Sequence, residues 1–323
     1  MSISLPLKQV CAVTWAGFAL GTAHLVLLGS FLLAPISVSN AADEKSADRA
    51  KQPSTAPEKS TDHSYRLEHK LKSGEQVHYE VTHLVTVKTE VQGSAQSNQS
   101  RSKSMKLWDV HDQDSSGATV FTNSIGYVDM WSETTGRQPI RYDSRDDAEP
   151  PPEYEVVAKT IGKPLSIITM SPTGEVVSRE DQIGQIDLGM GAIAVPLPDE
   201  PVKIGSTWSS PSSVTVRLED KSVKKIKIRR QYQLEKVAAG VATIAVKTQV
   251  LTPVDDPKVE SQLIQRLSQG VIKFDIDAGR VLSKQLDWDE TVVSFSGPDS
   301  RMEYLGRMTE KLVEPRMASS PKR

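Results

Sequence analysis

The sequence predicts an α+β fold, mostly antiparallel β, built from two related halves. Three patterns support this prediction: long runs in which apolar and polar residues alternate, a glycine-turn hairpin that occurs twice, and a short helix pattern ahead of each hairpin. Residues 152–179 and 257–284 match without a gap, with Gly174 falling on Gly279. Both turns need a residue that tolerates positive φ, as glycine does. The match indicates an internal duplication, in which each half has long strands, one short helix and one such hairpin.

Composition limits the possible functions. The chain has 323 residues, a net charge of −2, 37% hydrophobic residues and 5% aromatic residues. Such a balance gives no whole-chain argument for binding to nucleic acid or to a membrane surface. The single cysteine, Cys11, lies in the N-terminal segment. Removal of that segment would leave no thiol, which excludes disulfides, cysteine nucleophiles and thiolate metal sites from the mature chain.

Residues 1–41 have the pattern of a signal peptide. A positive charge at Lys8 precedes an almost unbroken apolar run over residues 10–33, and Ser39 and Ala41 are small residues at the spacing that cleavage requires. We therefore expect the mature chain to begin directly after Ala41. The apolar run approaches the length of a membrane span, so an uncleaved anchor is the alternative. In either case we expect an exported protein, periplasmic or extracellular, that meets the membrane only through this segment if it stays uncleaved.

The rest of the chain divides into four parts and a connection. Residues 42–64 are polar and without apolar periodicity, which predicts a disordered linker. Residues 65–180 form the first β-rich half, residues 181–202 the connection, and residues 203–314 the second β-rich half. Residues 315–323 are predicted to be a flexible tail.

The first half contains the longest predicted strand. Residues 65–71 alternate between apolar and polar types, and residues 77–91 do so again after a turn. A period of two over about fifteen residues is incompatible with an amphipathic helix. Further strands are predicted near residues 106–110 and 118–131. An acidic, proline-rich loop at residues 143–152 then leads into the first helix.

The second half contains a cationic strand and the clearer of the two helix patterns. Residues 221–230 are rich in lysine and arginine but alternate with apolar residues, which predicts a strand with one solvated cationic face. Lysines also protect sheet edges from pairing. The second helix is predicted to have Asp256 as its cap, Pro257 at its first position and Gly270 at its end. The chain after the second hairpin completes the sheet.

No motif for catalysis or cofactor binding occurs in the sequence. Nucleophile-elbow serines, phosphate loops and dinucleotide-binding glycine patterns are all missing, so we predict neither an enzyme nor a cofactor. His78 and His83 are five residues apart on the long strand and face opposite sides, which argues against a shared metal ion. Asp275 and Asp277 fit a turn better than a calcium loop. No catalytic or metal-ligating residue is predicted, and nucleic acid is not expected as a partner.

Three short motifs resemble an uncharacterised family of exported bacterial proteins, known mainly as a domain of unknown function. They are Gly-Ser-Thr-Trp at residues 205–208, Pro-Leu-Pro at 196–198 and Lys-Phe-Asp-Ile-Asp-Ala-Gly-Arg-Val at 273–281. The resemblance would cover about residues 65–313, and it implies no activity, cofactor or catalytic residue. A looser similarity links the plan to periplasmic lipoprotein-carrier folds, in which a curved antiparallel sheet holds helices and an acyl chain. That similarity implies a fold only.

Two functional hypotheses follow. In the first, the protein is a non-catalytic binding or carrier module for a hydrophobic or lipid-like ligand held on an apolar sheet face. In the second, it is a structural or protein-interaction module of the cell envelope. The chain has only five Phe, five Trp and seven Tyr to fill the interior that its long strands would enclose, so a ligand could supply the missing volume. The alternative is that aliphatic residues and the two helices fill it alone. The residues predicted to line this interior are Val77, Tyr79, Val81, Val85, Val87, Ile226, Ile228 and Leu234.

Overall fold

Antiparallel strands make up most of the chain. A computed structural model describes residues 63–183 and 192–314; the predicted signal segment, residues 42–62 of the linker and the tail lie outside the described residues. The strands are β1 Gln76–Val91, β2 Ser94–Gln113, β3 Thr119–Thr134, β4 Ile140–Asp143, β5 Pro164–Met170, β6 Val176–Asp181, β7 Thr207–Arg217, β8 Val223–Ala238, β9 Val241–Val250, β10 Gln269–Asp275, β11 Arg280–Val293 and β12 Ser300–Val313. The helices are α1 Glu155–Ala158 and α2 Pro257–Leu263, with 3₁₀ turns at Pro152–Tyr154 and Ile264–Arg266. The α+β class, dominated by antiparallel sheet, is confirmed.

All twelve strands belong to one sheet. Its order is β6-β5-β3-β2-β1-β12-β11-β10-β9-β8-β7, and β4 pairs with β3 beside this path. The strands of the first half therefore run from β6 to β1. Those of the second half follow in the corresponding order from β11 to β7, and β12, also from the second half, lies between β1 and β11.

The two hairpins do not share one register. In the first hairpin Met170 pairs with Val176, which leaves residues 171–175 in the turn. In the second, Asp275 pairs with Arg280, which leaves residues 276–279 in the turn. The gap-free match places Met170 on Asp275, so it is wrong by one residue at the turn. The strand order agrees with a duplication, but the hairpins do not confirm it.

Period-two alternation sets the two faces of the sheet. In β1 the side chains of Val77, Tyr79 and Val81 are buried, while those between them are partly exposed. The long alternating strand is thus confirmed, and the same holds for β8, where Ile226 and Ile228 are buried. We call the face with the buried residues the inner face and the opposite one the outer face.

The sheet is strongly curved. The N–H of His69 donates to the carbonyl of Pro172 in the β5–β6 turn (2.7 Å), and the next residue, Lys70, donates its N–H to the carbonyl of Gly279 in the β10–β11 turn (2.9 Å). In a flat sheet β5 and β10 would lie roughly 29 Å apart, because six strand spacings of about 4.8 Å separate them. Two neighbouring residues can contact both turns only if the sheet curves around its inner face and brings the two turns close together.

Three local predictions need correction. Residues 65–71, which we call the crossing segment, do not form a strand of the sheet; Tyr65 makes only an isolated bridge to Val202. Gly270 does not end the second helix but lies in β10, where the backbone of Gln285 leaves no space for a Cβ. The cationic strand β8 is not at an edge, because β7 covers it. The start of α2 is as predicted, since the Asp256 carboxylate accepts the Lys258 N–H.

Candidate functional site

Half of the predicted apolar ligand face lies in the central core. Val77, Tyr79, Val81 and Leu234 are buried in one cluster together with inner-face residues of β2, β3, β5 and β9 to β12. The ring of Tyr79 meets that of Trp108 edge-on, with centroids 5.4 Å apart. These side chains are buried against other side chains of the protein.

The other half of that predicted face lies in two further clusters. Ile226 and Ile228 pack under α2, against its buried Val259 and Leu263. Val85 and Val87 are half-buried and pack against a separate group of Ile264, Val292 and Tyr304. The eight residues are therefore distributed over three clusters, two of which share Trp288 as a packing partner.

Two segments outside the sheet cover the central cluster. The crossing segment contributes Leu67 and Leu71, and residues 192–204, which we call the connecting segment, contribute Val195 and Leu197. The backbones of Tyr65 and Val202 exchange two hydrogen bonds (2.8 and 2.9 Å). The buried ring of His69 lies 3.0 Å through Nε2 from the carbonyl oxygen of Val195. The two segments are thus held to each other as well as to the core.

A cavity that the described residues line lies away from the apolar face. Its volume is about 270 Å³, and it lies near the turn that joins β1 to β2. The lining is polar and mixed in charge: Lys88, Thr89, Glu90, Ala95, Gln96, Ser97, Thr135, Arg301 and Glu303. Arg301 and Glu303 form an ion pair there (2.9 Å). This lining does not suit a hydrophobic ligand.

Three charged side chains are buried on the inner face. The carboxylate of Glu310 on β12 lies between two ammonium groups, with Oε1 2.5 Å from Lys106 Nζ and Oε2 2.5 Å from Lys284 Nζ. Lys106 Nζ also lies 4.8 Å from the centre of the Tyr79 ring and 5.0 Å from that of Trp108. Two cations share one anion, so the cluster carries an excess positive charge that the two aromatic faces stabilise in part.

The pKa directions follow from this arrangement. Burial lowers the pKa of Lys106, and the attraction of Glu310 only partly opposes this effect. For Glu310 burial acts to raise the pKa, but the charges of Lys106 and Lys284 together outweigh it, and the pKa is lowered. Glu310 is thus held ionised in the core. The cluster is closed to solvent and stabilises the contact between β11, β12, β1 and β2.

The sequence contains a signal for this cluster, although the cluster is not among the predicted sites. Lys106 alternates with the buried residues Trp108 and Val110, and Glu310 lies two residues from the buried Met308. A charge at an apolar position of an alternating strand indicates a buried ion. The sequence of one strand does not show which charged residue pairs with the buried ion, because Glu310 and Lys106 are 204 positions apart.

On the outer face of the first half, the cations of β2 are paired with carboxylates. Arg101 donates to both oxygens of Asp129 (2.8 and 3.0 Å). Lys103 Nζ lies 2.8 Å from Glu80, whose carboxylate also accepts from the Tyr127 hydroxyl (3.1 Å). This part of the sheet is therefore close to neutral.

A further ion pair lies beside them. Arg145 donates from Nε and from one terminal nitrogen to Asp143 (2.8 and 2.5 Å), and its guanidinium lies 4.4 Å from the Tyr127 ring. The hydrogen bonds from Arg145 lower the pKa of Asp143 to about 2. Asp143 therefore remains ionised throughout the physiological pH range.

On the outer face of the second half, exposed cations stand without such partners. They come from three neighbouring strands, β8, β9 and β10, and none of them lies within ion-pair distance of a described carboxylate. Two of them hydrogen-bond to neutral side chains: Arg229 to Gln249 (2.7 Å) and Lys273 to Thr243 (2.7 Å). We call this set the cationic face: Lys225, Lys227, Arg229, Lys236, Lys247 and Lys273. The prediction of a strand with a solvated cationic face is confirmed for β8 and extends to its neighbours.

The two histidines considered for metal binding lie on opposite faces of the sheet, as predicted. His78 lies on the outer face and His83 on the inner face, where its ring is 5.6 Å from that of Trp288. Asp275 accepts the Ala278 N–H in the predicted turn (2.8 Å). Within residues 63–183 and 192–314 no group of three or more His, Cys, Asp or Glu side chains is placed to hold a metal ion. In the same ranges no helix has the length and apolarity needed to span a membrane.

Comparison with known proteins identifies no family. No protein-family model matches the chain, and no curated protein sequence matches it significantly. One solved structure, on lipid–protein interactions in lipovitellin, is similar at a TM-score of 0.43 and 10% sequence identity, over 78% of this chain and 27% of that one. The chain thus spans about a quarter of the length of that lipovitellin chain. A likeness of this size decides neither a shared fold nor a ligand.

Proposed function

We propose that the protein is a non-catalytic interaction module of an exported compartment, and that it acts through the outer face of its sheet. The observation that carries this proposal is the contrast between the two faces. The inner-face residues expected to hold a ligand are packed against the protein's own side chains. The outer face of the second half is exposed and carries cations without carboxylate partners among the described residues.

Carriage of a hydrophobic ligand is the second candidate, and one observation favours it. The cover of the central cluster comes from the crossing and connecting segments, which lie outside the sheet. If both moved away, the inner-face residues around Phe274 and Leu234 would be exposed as a concave apolar surface. A lipid-like ligand would then have to replace Leu67, Leu71, Val195 and Leu197. The same proposal of an exported protein underlies both candidates.

Native mass spectrometry of the full chain, purified from the envelope of the cells that produce it, separates the two candidates. For an interaction module we expect the mass of the polypeptide alone, and no stoichiometric lipid after extraction with organic solvent. Leu197→Ser, which removes one apolar side chain from the cover, should then lower stability without changing what is bound. A lipid present at one molecule per chain would contradict the proposal and favour the carrier.

A further inference from the structure

We infer that the cationic face binds an extended anionic polymer that carries phosphate or carboxylate groups. This inference rests on the proposed interaction function and names its surface and its class of partner. Lys225, Lys227 and Arg229 occupy alternate positions of β8, so their side chains leave the same side of the strand at intervals of roughly 7 Å. On the adjoining strands, Lys247 and Lys273 continue the positive surface.

Polar neutral side chains fill the spaces between the cations. Across the strands, Lys236 lies opposite Thr243, which lies opposite Lys273. The next row on this face holds Gln233, Ala245 and Val271, and in the row after it Lys247 is flanked by Gln231 on β8 and Gln269 on β10. Such a surface offers both charges and hydrogen-bond donors to the oxygen atoms of an anionic chain.

Acidic side chains are few on these three strands and lie away from the cations of β8 at residues 225–229. Glu235 lies at the β-bulge of β8. Asp275 is the last residue of β10, and its carboxylate accepts the Ala278 N–H in the following turn. The middle of the cationic face therefore keeps its positive charge.

The arrangement favours a polymer over a small anion. The ammonium groups are solvent-exposed and spread over three strands, whereas a site for a single anion brings its donors together around one point. An extended chain with a negative charge at each repeat can contact several cations at once and release their counterions.

Two other anionic partners fit less well. A membrane surface would be expected to meet a contiguous apolar patch, but the large exposed apolar side chains on or beside this face come from three separate places, Val223, Leu251 and Val271. Single-stranded nucleic acid is usually held by aromatic rings on which bases stack. The aromatic residues near this face, Trp208 and Tyr232, stack on each other with centroids 5.7 Å apart, and Tyr232 is buried on the inner face.

The inference is tested with the full-length protein and four probes: long-chain inorganic polyphosphate, alginate, phosphatidylcholine vesicles containing phosphatidylglycerol, and a short DNA duplex. The test variant is K225Q/K227Q/R229Q. The matched control is R137Q/K159Q/K163Q, which removes three exposed cations from the first half. Both variants change the net charge equally, and equal unfolding midpoints would establish that both are folded.

We expect the wild-type protein to bind polyphosphate or alginate with an affinity that falls steeply as salt rises. K225Q/K227Q/R229Q should bind at least about tenfold more weakly, and the control within about twofold of wild type. Binding to polyphosphate alone identifies phosphate as the recognised group, and binding to alginate alone identifies carboxylate. The inference is overturned by no binding to either polymer, by equal losses in the two variants, or by tighter binding to vesicles or DNA than to both polymers. Failure here with no co-purified lipid leaves the interaction module standing, whereas a stoichiometric lipid contradicts the proposed function itself.

Discussion

The outer faces of the two halves both carry lysine and arginine, but the cations of β2 are neutralised by carboxylates whereas those of β8 are not. In the first half Arg101 and Lys103 are each paired with a carboxylate on a neighbouring strand. In the second half Lys225 and Lys227 stand on the corresponding strand with no described carboxylate within ion-pair distance. The number of cations in a sequence therefore does not identify a binding surface. What identifies it is whether the neighbouring strands supply anions, and this depends on strand pairing.

In the interior too, strand pairing decides whether a charge has a partner, and the free energies involved are larger. Glu310 pairs with two lysines where water is excluded, on the strand that joins the halves. An ion pair at the surface is worth at most about 1 kcal/mol, whereas removal of one partner from a buried pair costs about 3–5 kcal/mol. The predictions below follow this order.

The largest effect is expected from Glu310→Gln. The substitution leaves Lys106 and Lys284 buried without an anion, so we expect the free energy of unfolding at neutral pH to fall by about 3–5 kcal/mol. Urea unfolding measures this loss. The pKa of Glu310 is lowered in the folded state, so its stabilisation is present above the pKa of an unfolded glutamate and is lost as pH falls through the lowered value.

The control for Glu310→Gln is a variant that removes all three charges at once, Lys106→Met with Lys284→Met and Glu310→Leu. Because no unpaired ion then remains buried, it should regain most of the lost stability. A triple variant as unstable as Glu310→Gln would show that the side-chain shapes matter more than the charges.

A second large effect is expected at the hairpin turns. Gly279 has a φ of +62°, and a Cβ there would overlap the backbone and side chain of Lys70 in the crossing segment. Gly93 also has positive φ (+76°), but nothing lies within 4 Å of its added Cβ. Gly279→Val should therefore destabilise more than Gly93→Val, which meets only the conformational strain of about 1–3 kcal/mol. Thermal unfolding of the two variants measures the difference, and equal losses would show that the crossing segment does not press on the second turn.

Local patterns in the sequence were enough to predict strands such as β1 and β8. The alternation at residues 77–91 predicts β1, and the apolar residues that alternate with Lys225 and Lys227 predict the two faces of β8, because both depend on neighbours along the chain. The crossing segment was misassigned for the same reason. Its alternation resembles that of a strand, but its partners are two turns that are distant in sequence.

The candidate site was less predictable than the strands. The apolar face was expected to line one interior, yet Ile226 packs under α2 and Val77 packs in the central cluster. Alternation shows that a residue points inward, but it does not show what it meets there. The cationic face was visible only on β8. Its extension to Lys247 and Lys273 requires the pairing of β8 with β9 and of β9 with β10.

A moderate, pH-dependent effect is expected at His69, which lies where the crossing segment meets both halves. Burial lowers the pKa of His69, against the opposing hydrogen bond to Val195. The neutral ring is thus the folded form, and stability should fall as pH drops below the value of about 6.5 for an unfolded histidine, by up to about 1.4 kcal/mol per pH unit. His69→Gln should remove this part of the pH dependence, and His63→Gln, at an exposed position, should keep it. Chemical unfolding across pH 5 to 7.5 compares them; the same slope in both variants would contradict the assignment.

The smallest effect on stability is expected from Glu80→Gln combined with Asp129→Asn. The same variant tests the comparison between the two outer faces most directly. These changes remove the partners of Lys103 and Arg101 and keep the shape of both side chains. Both pairs lie at the surface and are partly exposed, so the free energy of unfolding should change by less than about 1 kcal/mol for each pair. The first outer face would then resemble the second, with free cations on a polar sheet. If absence of carboxylates is what creates the binding surface, this variant should bind polyphosphate more tightly than wild type. Added to K225Q/K227Q/R229Q, the same two changes should restore part of the lost binding. Unchanged binding would show that unpaired cations alone do not create a binding surface. The spacing of the cations in the second half, which the first half lacks, would then be required as well.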